Sequence, residues 1–171
     1  MSEARSLKDI LGRRKALFEK KPEAAQYRPS VVTEWKGGLL NENRIRDHKV
    51  ACDYPVPSGG TDQAPNPMEL VLAALGSCVS AVFVEYAAML DIQLRSVKVE
   101  LGGEIDLRGL FNVAPVPSGF SSISCKVTLQ TDADKEKVEK LVELAQAHCP
   151  VSESLKLPVD VRSQVAIEPL V

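Results

Sequence analysis

Aromatic residues are scarce in this 171-residue chain: four Phe, three Tyr and one Trp make up 5% of it. Few rings are available on which bases could stack, which argues against a single-stranded nucleic-acid platform. Charge of one sign is also lacking. The 21 basic and 23 acidic side chains leave a net charge of −2, which offers neither nucleic acid nor an anionic membrane an electrostatic footprint. Histidine occurs twice, at His48 and His148, and Cys-x-x-Cys does not occur. A structural zinc site then has no ligand set, and no metal or other cofactor is expected. The start, MSEARSLKDILGRRKALFEK, holds no apolar run and hence no secretory signal. The expectation is a cytoplasmic protein whose four cysteines, Cys52, Cys78, Cys125 and Cys149, are free rather than stapled.

What the chain does have is one long apolar stretch, PNPMELVLAALGSCVSAVFVEYAAML, residues 65 to 90. It reads as a helix, nearly apolar on every face, with Cys78 at its centre. Asn66 sits where an N-cap belongs, Pro67 suits the first helical position, and Glu69 falls three residues after the cap. The run is long enough to span a membrane. Glu69 and Glu85 lie inside it with Ser77 and Ser80 between them, and no second span exists, so a core helix covered by other layers is expected instead.

The flanking segments read more conventionally. Residues 5 to 21 form a helix with Leu7, Ile10, Leu11 and Leu17 as a partial apolar stripe, and Pro22 and Pro29 bracket a linker. Residues 1–30 are thus a helical extension with its linker, and 31–171 a single domain. VVTEWKGGLLNENRIRDHKVACDYP reads as two strands, with possible turns at Gly37-Gly38 and at Asn41 to Asn43. Cys52 alternates into the core of the second. A Pro- and Gly-rich loop precedes the central helix. LRSVKVELGGEIDLRG alternates as strands, and GFSSISCKVTLQTD is another, with Ile123, Cys125, Val127 and Leu129 on one inward face. Cys125 is expected in the core by the same logic as Cys52. DADKEKVEKLVELAQAHC is an amphipathic helix, capped by Asp132 or Asp134 and buried along Val138, Leu141, Val142 and Leu144 or Ala145. Pro150 ends or redirects it, SESLK makes a helical turn, and PVDVRSQVAI is a last strand.

The order gives an α+β fold with mostly antiparallel sheets around a long buried central helix. One small sheet covers one face of such a helix. A homodimer sharing strands around two central helices would cover the rest.

PNPMELVLAALGSC, followed about seventy residues later by HCPVSESL, resembles the OsmC/Ohr family, in which a Pro-rich loop enters a long cysteine-bearing helix and a later helix ends in Cys-Pro. SGGTDQAPNP, GLFNVAPVPSGF and the stretch after LKLPV add to the likeness, which runs from about residue 31 to the end. The resemblance implies an intertwined homodimer with active sites at the subunit interface. It implies a thiol peroxidase acting on organic hydroperoxides, with Cys78 peroxidatic, Cys149 resolving and a dithiol reductant restoring the pair. In such chemistry a thiolate becomes a sulfenic acid, and a second thiol condenses with it before over-oxidation.

Burial raises a thiol's pKa, so such a site needs a group that stabilises thiolate. The family's enzymes use an arginine in a Gly-Gly-Arg hairpin and a glutamate ten residues before the cysteine. This chain has Gly37-Gly38-Leu39 and Met68 at those places, with the glutamate moved to Glu69. Glu69 is a catalytic candidate and also the capping-box partner of Asn66. Arg44 or Arg46 could supply the cation, and His148 could shuttle protons or interact with its helix terminus. The alternative is a non-catalytic binding protein holding an apolar or thiol-containing ligand at a dimer interface. A third reading leaves both cysteines packed and inert.

Overall fold

The central helix organises the chain. In the computed structural model, which describes residues 6–169, it is α2, Pro67–Met89. Asn66 caps it as expected: its side-chain oxygen accepts from the Met68 and Glu69 amides, and Glu69 accepts from the Asn66 amide at 2.8 Å. Before it come α1 (Leu7–Lys20), β1 (Val32–Gly37), β2 (Leu40–Ile45) and β3 (His48–Cys52). After it come β4 (Leu94–Ile105), α3 (Leu107–Leu110), β5 (Phe120–Thr131), α4 (Lys135–Ala147) and α5 (Pro150–Lys156).

The strands form two antiparallel sheets, β1-β2-β3 and β4-β5. The first contains three strands where the sequence reading expected two. Asn41 to Asn43 lie inside β2 rather than in a turn, and the extra reversal falls at Arg46-Asp47, where Arg46 takes a positive φ of 56°. The polar side chains of Asn41 and Asn43 imitate a turn signal but are absorbed locally: Asn43 donates to the Val50 carbonyl at 3.1 Å.

The core lies between α2, the β4-β5 sheet and α4. Leu75, Val82, Phe83 and Ala87 of α2 meet Leu141, Ala145 and Cys149, with Ile92 at the end of α2. Removing a side chain such as Phe83 or Leu141 from water contributes about 1.5–3 kcal/mol. Gly103 is required in β4 because a Cβ there would lie 2.3 Å from the Phe120 ring across the ladder. α4 buries Leu141 and Ala145, half-buries Val138 and Val142, and begins after Asp134, whose side chain makes no cap bond.

Two regions depart from expectation. PVDVRSQVAI forms no regular strand, and Val159, Val161, Val165 and Ile167 are exposed. A strand needs an edge to pair with, and among the described residues this segment has none. Cys125 sits on the inward face of β5 yet is exposed. The layer expected over it is a cavity.

Below β3, Asp53 is fully buried. Its Oδ2 accepts from the Thr61 hydroxyl at 2.7 Å, the Thr61 amide at 3.0 Å and the Gln63 amide at 3.2 Å, closing the loop that delivers the chain into α2. The Thr61 hydroxyl and these amides hold its carboxyl down to about 2 from an ordinary 3.8, against the effect of burial. A depressed carboxylate stabilises the fold above its unfolded pKa and ceases to do so as pH falls through the folded one. Asp53→Asn is therefore expected to melt below the parent by a constant margin above about pH 5, a margin that closes as the pH approaches about 2. Thermal melts across that range measure it. A margin unchanged at the acid end would mean that Asp53 acts by shape and not by charge.

Candidate functional site: a dithiol at the central helix

Cys78 and Cys149, 71 residues apart, meet with their sulfurs 3.4 Å apart. Two local features bring this about. α2 carries small residues beside Cys78: a Cβ on Gly76 would lie 2.9 Å from Leu101 Cδ1, so β4 packs closely there. At the other partner, α4 ends at His148, Cys149 takes the N-cap position of α5, and Pro150 opens that helix. This corner turns the Cys149 side chain onto α2. Cys149 is 2% exposed and Cys78 half-buried, and both are reduced. A disulfide needs sulfurs at about 2.0 Å, so this is a thiol–thiol contact poised short of a bond.

Electrostatics at Cys78 are mixed. Burial pushes its thiol up from the ordinary 9.0, and the Cys149 thiol and the Glu85 charge add to that. The Val151 amide acts in the opposite sense, donating toward the sulfur and favouring thiolate. Val151 escaped the sequence reading, although a signal exists. A helix-opening proline has no N–H, so after Cys149-Pro150 the first free amide belongs to Val151. Glu85 escaped as well. Seven residues after Cys78, it falls on nearly the same side of the helix, within about 20°.

The other candidates lie elsewhere. Glu69 is nine residues before Cys78, about 180° around α2, and is engaged with Asn66. Arg44 pairs with Glu34 on the first sheet, and Arg46 occupies the β2–β3 turn. Neither is among the groups that shift Cys78. His148 is exposed, with Nδ1 2.9 Å from the Leu144 carbonyl and its ring centroid 5.5 Å from that of Tyr86. Cys52 is buried at the end of β3 and is not part of the core cluster that holds Cys78 and Cys149. Burial raises its thiol, and the Asp53 and Glu69 charges add to the shift.

Behind Cys149 opens a cavity of about 900 Å³ between α2, α4, α5 and β5. Its walls are mostly apolar, including Met68, Val79, Phe83 and Val142, with Gln146, Lys156 and three serines, Ser121, Ser122 and Ser152, as polar members. Cys149 and Cys125 both line it.

Fold and site together define an α+β protein whose long central helix presents one thiol to a second held at a helix–proline corner. Residues 60–164 match the family model described as OsmC-like protein, and the chain belongs to that family. It is 23% identical over 131 residues to the organic hydroperoxide resistance protein of Xanthomonas axonopodis pv. citri, covering 77% of this chain and 87% of that one. Among solved structures, the OsmC-like protein of Mycoplasma pneumoniae superposes with a TM-score of 0.61 at 13% identity, covering 77% of this chain and 87% of that one. The organic hydroperoxide resistance protein OsmC of Legionella pneumophila gives a TM-score of 0.56 at 21% identity, covering 77% and 91%. These likenesses establish the fold: antiparallel sheets about a long central helix.

The raised Cys78 pKa has a measurable sign. Thiolate is the nucleophile, so alkylation of Cys78 by iodoacetamide is expected to rise about tenfold per pH unit between about pH 6 and 8, without a plateau. Peptide-resolved alkylation rates measure this. A plateau near neutrality would mean that a cation reaches the sulfur.

Proposed function

We propose that this protein is a thiol peroxidase for organic hydroperoxides, with Cys78 peroxidatic and Cys149 resolving. The 3.4 Å sulfur–sulfur contact carries the reading. The Cys78 thiolate attacks the distal peroxide oxygen. The O–O bond breaks, the alkoxide leaves and takes a proton to become the alcohol, and Cys78 becomes a sulfenic acid. The Cys149 sulfur then attacks Cys78, water departs, and a disulfide forms. An external dithiol returns both thiols by exchange and is itself oxidised. Cys149 touches the Cys78 sulfur before oxidation, so condensation needs a closure of little more than 1 Å. The name of the Xanthomonas relative is consistent with this substrate class.

The same reading places the working unit in a homodimer. Only 22% of the most apolar stretch of α2 is buried within one chain. Its outer face, with Ala73, Ala74, Ser77, Ala81 and Val84, is exposed and small enough for a second helix to approach closely. The first sheet scarcely touches the rest of its own chain and leaves Val32 and Trp35 exposed. The segment from Val159 to Ile167 alternates like a strand without a partner. A second copy would answer all of these demands and would supply the layer over Cys78.

One observation favours the runner-up, a binding protein. The apolar cavity beside Cys149 is large enough for a small ligand, and among the described residues no cation is found to shift Cys78.

Titration of reduced protein with an alkyl hydroperoxide, followed by thiol counting and disulfide mapping, tests the chemistry. Two thiols per chain are expected to disappear into a Cys78–Cys149 link. Cys78→Ser should abolish turnover, whereas Cys149→Ser should complete one turnover and stall as sulfenic acid. Survival of all four thiols at stoichiometric peroxide would overturn the peroxidase and leave the binding reading.

Light scattering tests the assembly. Twice the chain mass is expected for the parent. Ala81→Glu, which puts a charge on the exposed face of α2, should shift the population toward monomer by at least roughly tenfold in dissociation constant. A parent chain that is monomeric at micromolar concentration would refute the dimer.

A further inference from the structure

The cavity behind Cys149 gathers a third thiol. Cys125 shares the inward face of β5 with Ile123, Val127 and Leu129, which pack on the core. All four line the cavity, and Cys125 alone of them is exposed. Cys149 forms part of the same wall. Beyond the larger effect of burial, charge on Cys149 disfavours ionisation of Cys125. Cys78 is not part of that wall. It borders the outer, small-residue side of α2. Cys149 is therefore the shared member, touching Cys78 on one side and facing Cys125 across the cavity on the other.

We propose that Cys125 is a third redox-active thiol that takes the disulfide over from Cys78. The proposal rests on the dithiol reading above. Once the Cys78–Cys149 bond exists, the Cys125 thiolate attacks the Cys149 sulfur from the cavity side. A Cys125–Cys149 bond forms and the Cys78–Cys149 bond breaks. Cys78 leaves as thiolate and takes up the proton that Cys125 gave up. The exchange is neutral in electrons, so no further oxidant or reductant enters it. Its geometric demand is that the Cys149–Pro150 corner and β5 close across the cavity until the Cys125 and Cys149 sulfurs come within about 2.0 Å.

The relay answers an access problem. Both thiols line the cavity, but Cys149 is only 2% exposed while Cys125 is exposed, so an external dithiol meets Cys125 first. Moving the disulfide to Cys125 frees Cys78 for the next peroxide and presents the bond where a reductant can reach it. Peroxide and reductant are then served from different sides of α2.

The experiment oxidises the full chain with diamide, a general thiol oxidant, so that disulfide formation does not depend on peroxide reactivity. Samples are quenched in acid at intervals, alkylated and mapped by peptide mass spectrometry. A Cys78–Cys149 link is expected first, with Cys125–Cys149 growing at its expense. In Cys125→Ser the first link should persist, and dithiothreitol should reduce it at least roughly fivefold more slowly than the parent. The relay is overturned if Cys125 remains alkylatable throughout, if Cys125→Ser is reduced at the parent rate, or if Cys78→Ser forms Cys125–Cys149 as fast as the parent does. A parallel series with an alkyl hydroperoxide separates the two proposals. The relay with diamide but no thiol loss with peroxide sinks the peroxidase alone. A peroxide-formed Cys78–Cys149 link that never migrates sinks the relay alone.

Discussion

The burial demand of α2 governs this structure. A helix apolar on nearly every side cannot be stabilised by one sheet, because a sheet removes only one face from water. Within the chain, β4, α4, α5 and α1 share the work. They bury the side that holds Leu75, Val82, Phe83 and Ala87 and leave the opposite side bare. Cys78 sits at the boundary between these two sides. A thiol wholly in the core would be inert, and one on the open face would lack a partner. At the boundary it has Cys149 on one flank and space on the other.

The corner between α4 and α5 brings the second thiol to the first. Pro150 ends one helix and begins the next, which turns Cys149 inward and leaves the Val151 amide as the first free donor toward Cys78. That one amide opposes burial, the Cys149 thiol and the Glu85 charge, and the net direction at Cys78 is upward. A backbone donor holds its position without side-chain entropy but carries only a partial charge, so it moderates the cost of a buried thiolate without removing it. Leu39, not a cation, follows Gly37-Gly38, and Arg44 is held by Glu34 on the first sheet. The electrostatics of the single chain thus favour a thiol at rest.

Much of this was legible in the sequence because it depends on local rules. The Asn66–Pro67–Glu69 cap, the span of α2, the buried stripe of α4 and the redirection at Pro150 follow from neighbours within a few residues. The errors arose where the deciding partner is remote. Asn41 to Asn43 carry turn chemistry, yet β3 pairs with them and makes them a strand. PVDVRSQVAI has strand periodicity, yet among the described residues it joins no edge. Cys125 has an inward phase on β5, but phase gives a direction and not what fills the space ahead.

The sequence by itself determined the central helix, its cap, the α+β order and the two cysteine contexts, since helix termini and hydrophobic periodicity are written in short windows. It also favoured Glu69 as the capping-box partner of Asn66 over a catalytic role, and the capping box is present. Only the tertiary structure decided that Cys78 and Cys149 touch, that burial and the Val151 amide act in opposite senses on Cys78, and that Cys125 opens onto a cavity shared with Cys149. Those facts depend on how helices of fixed length cross and where packing leaves a void. Distance between groups 71 residues apart is a property of the packed core and not of any segment within it.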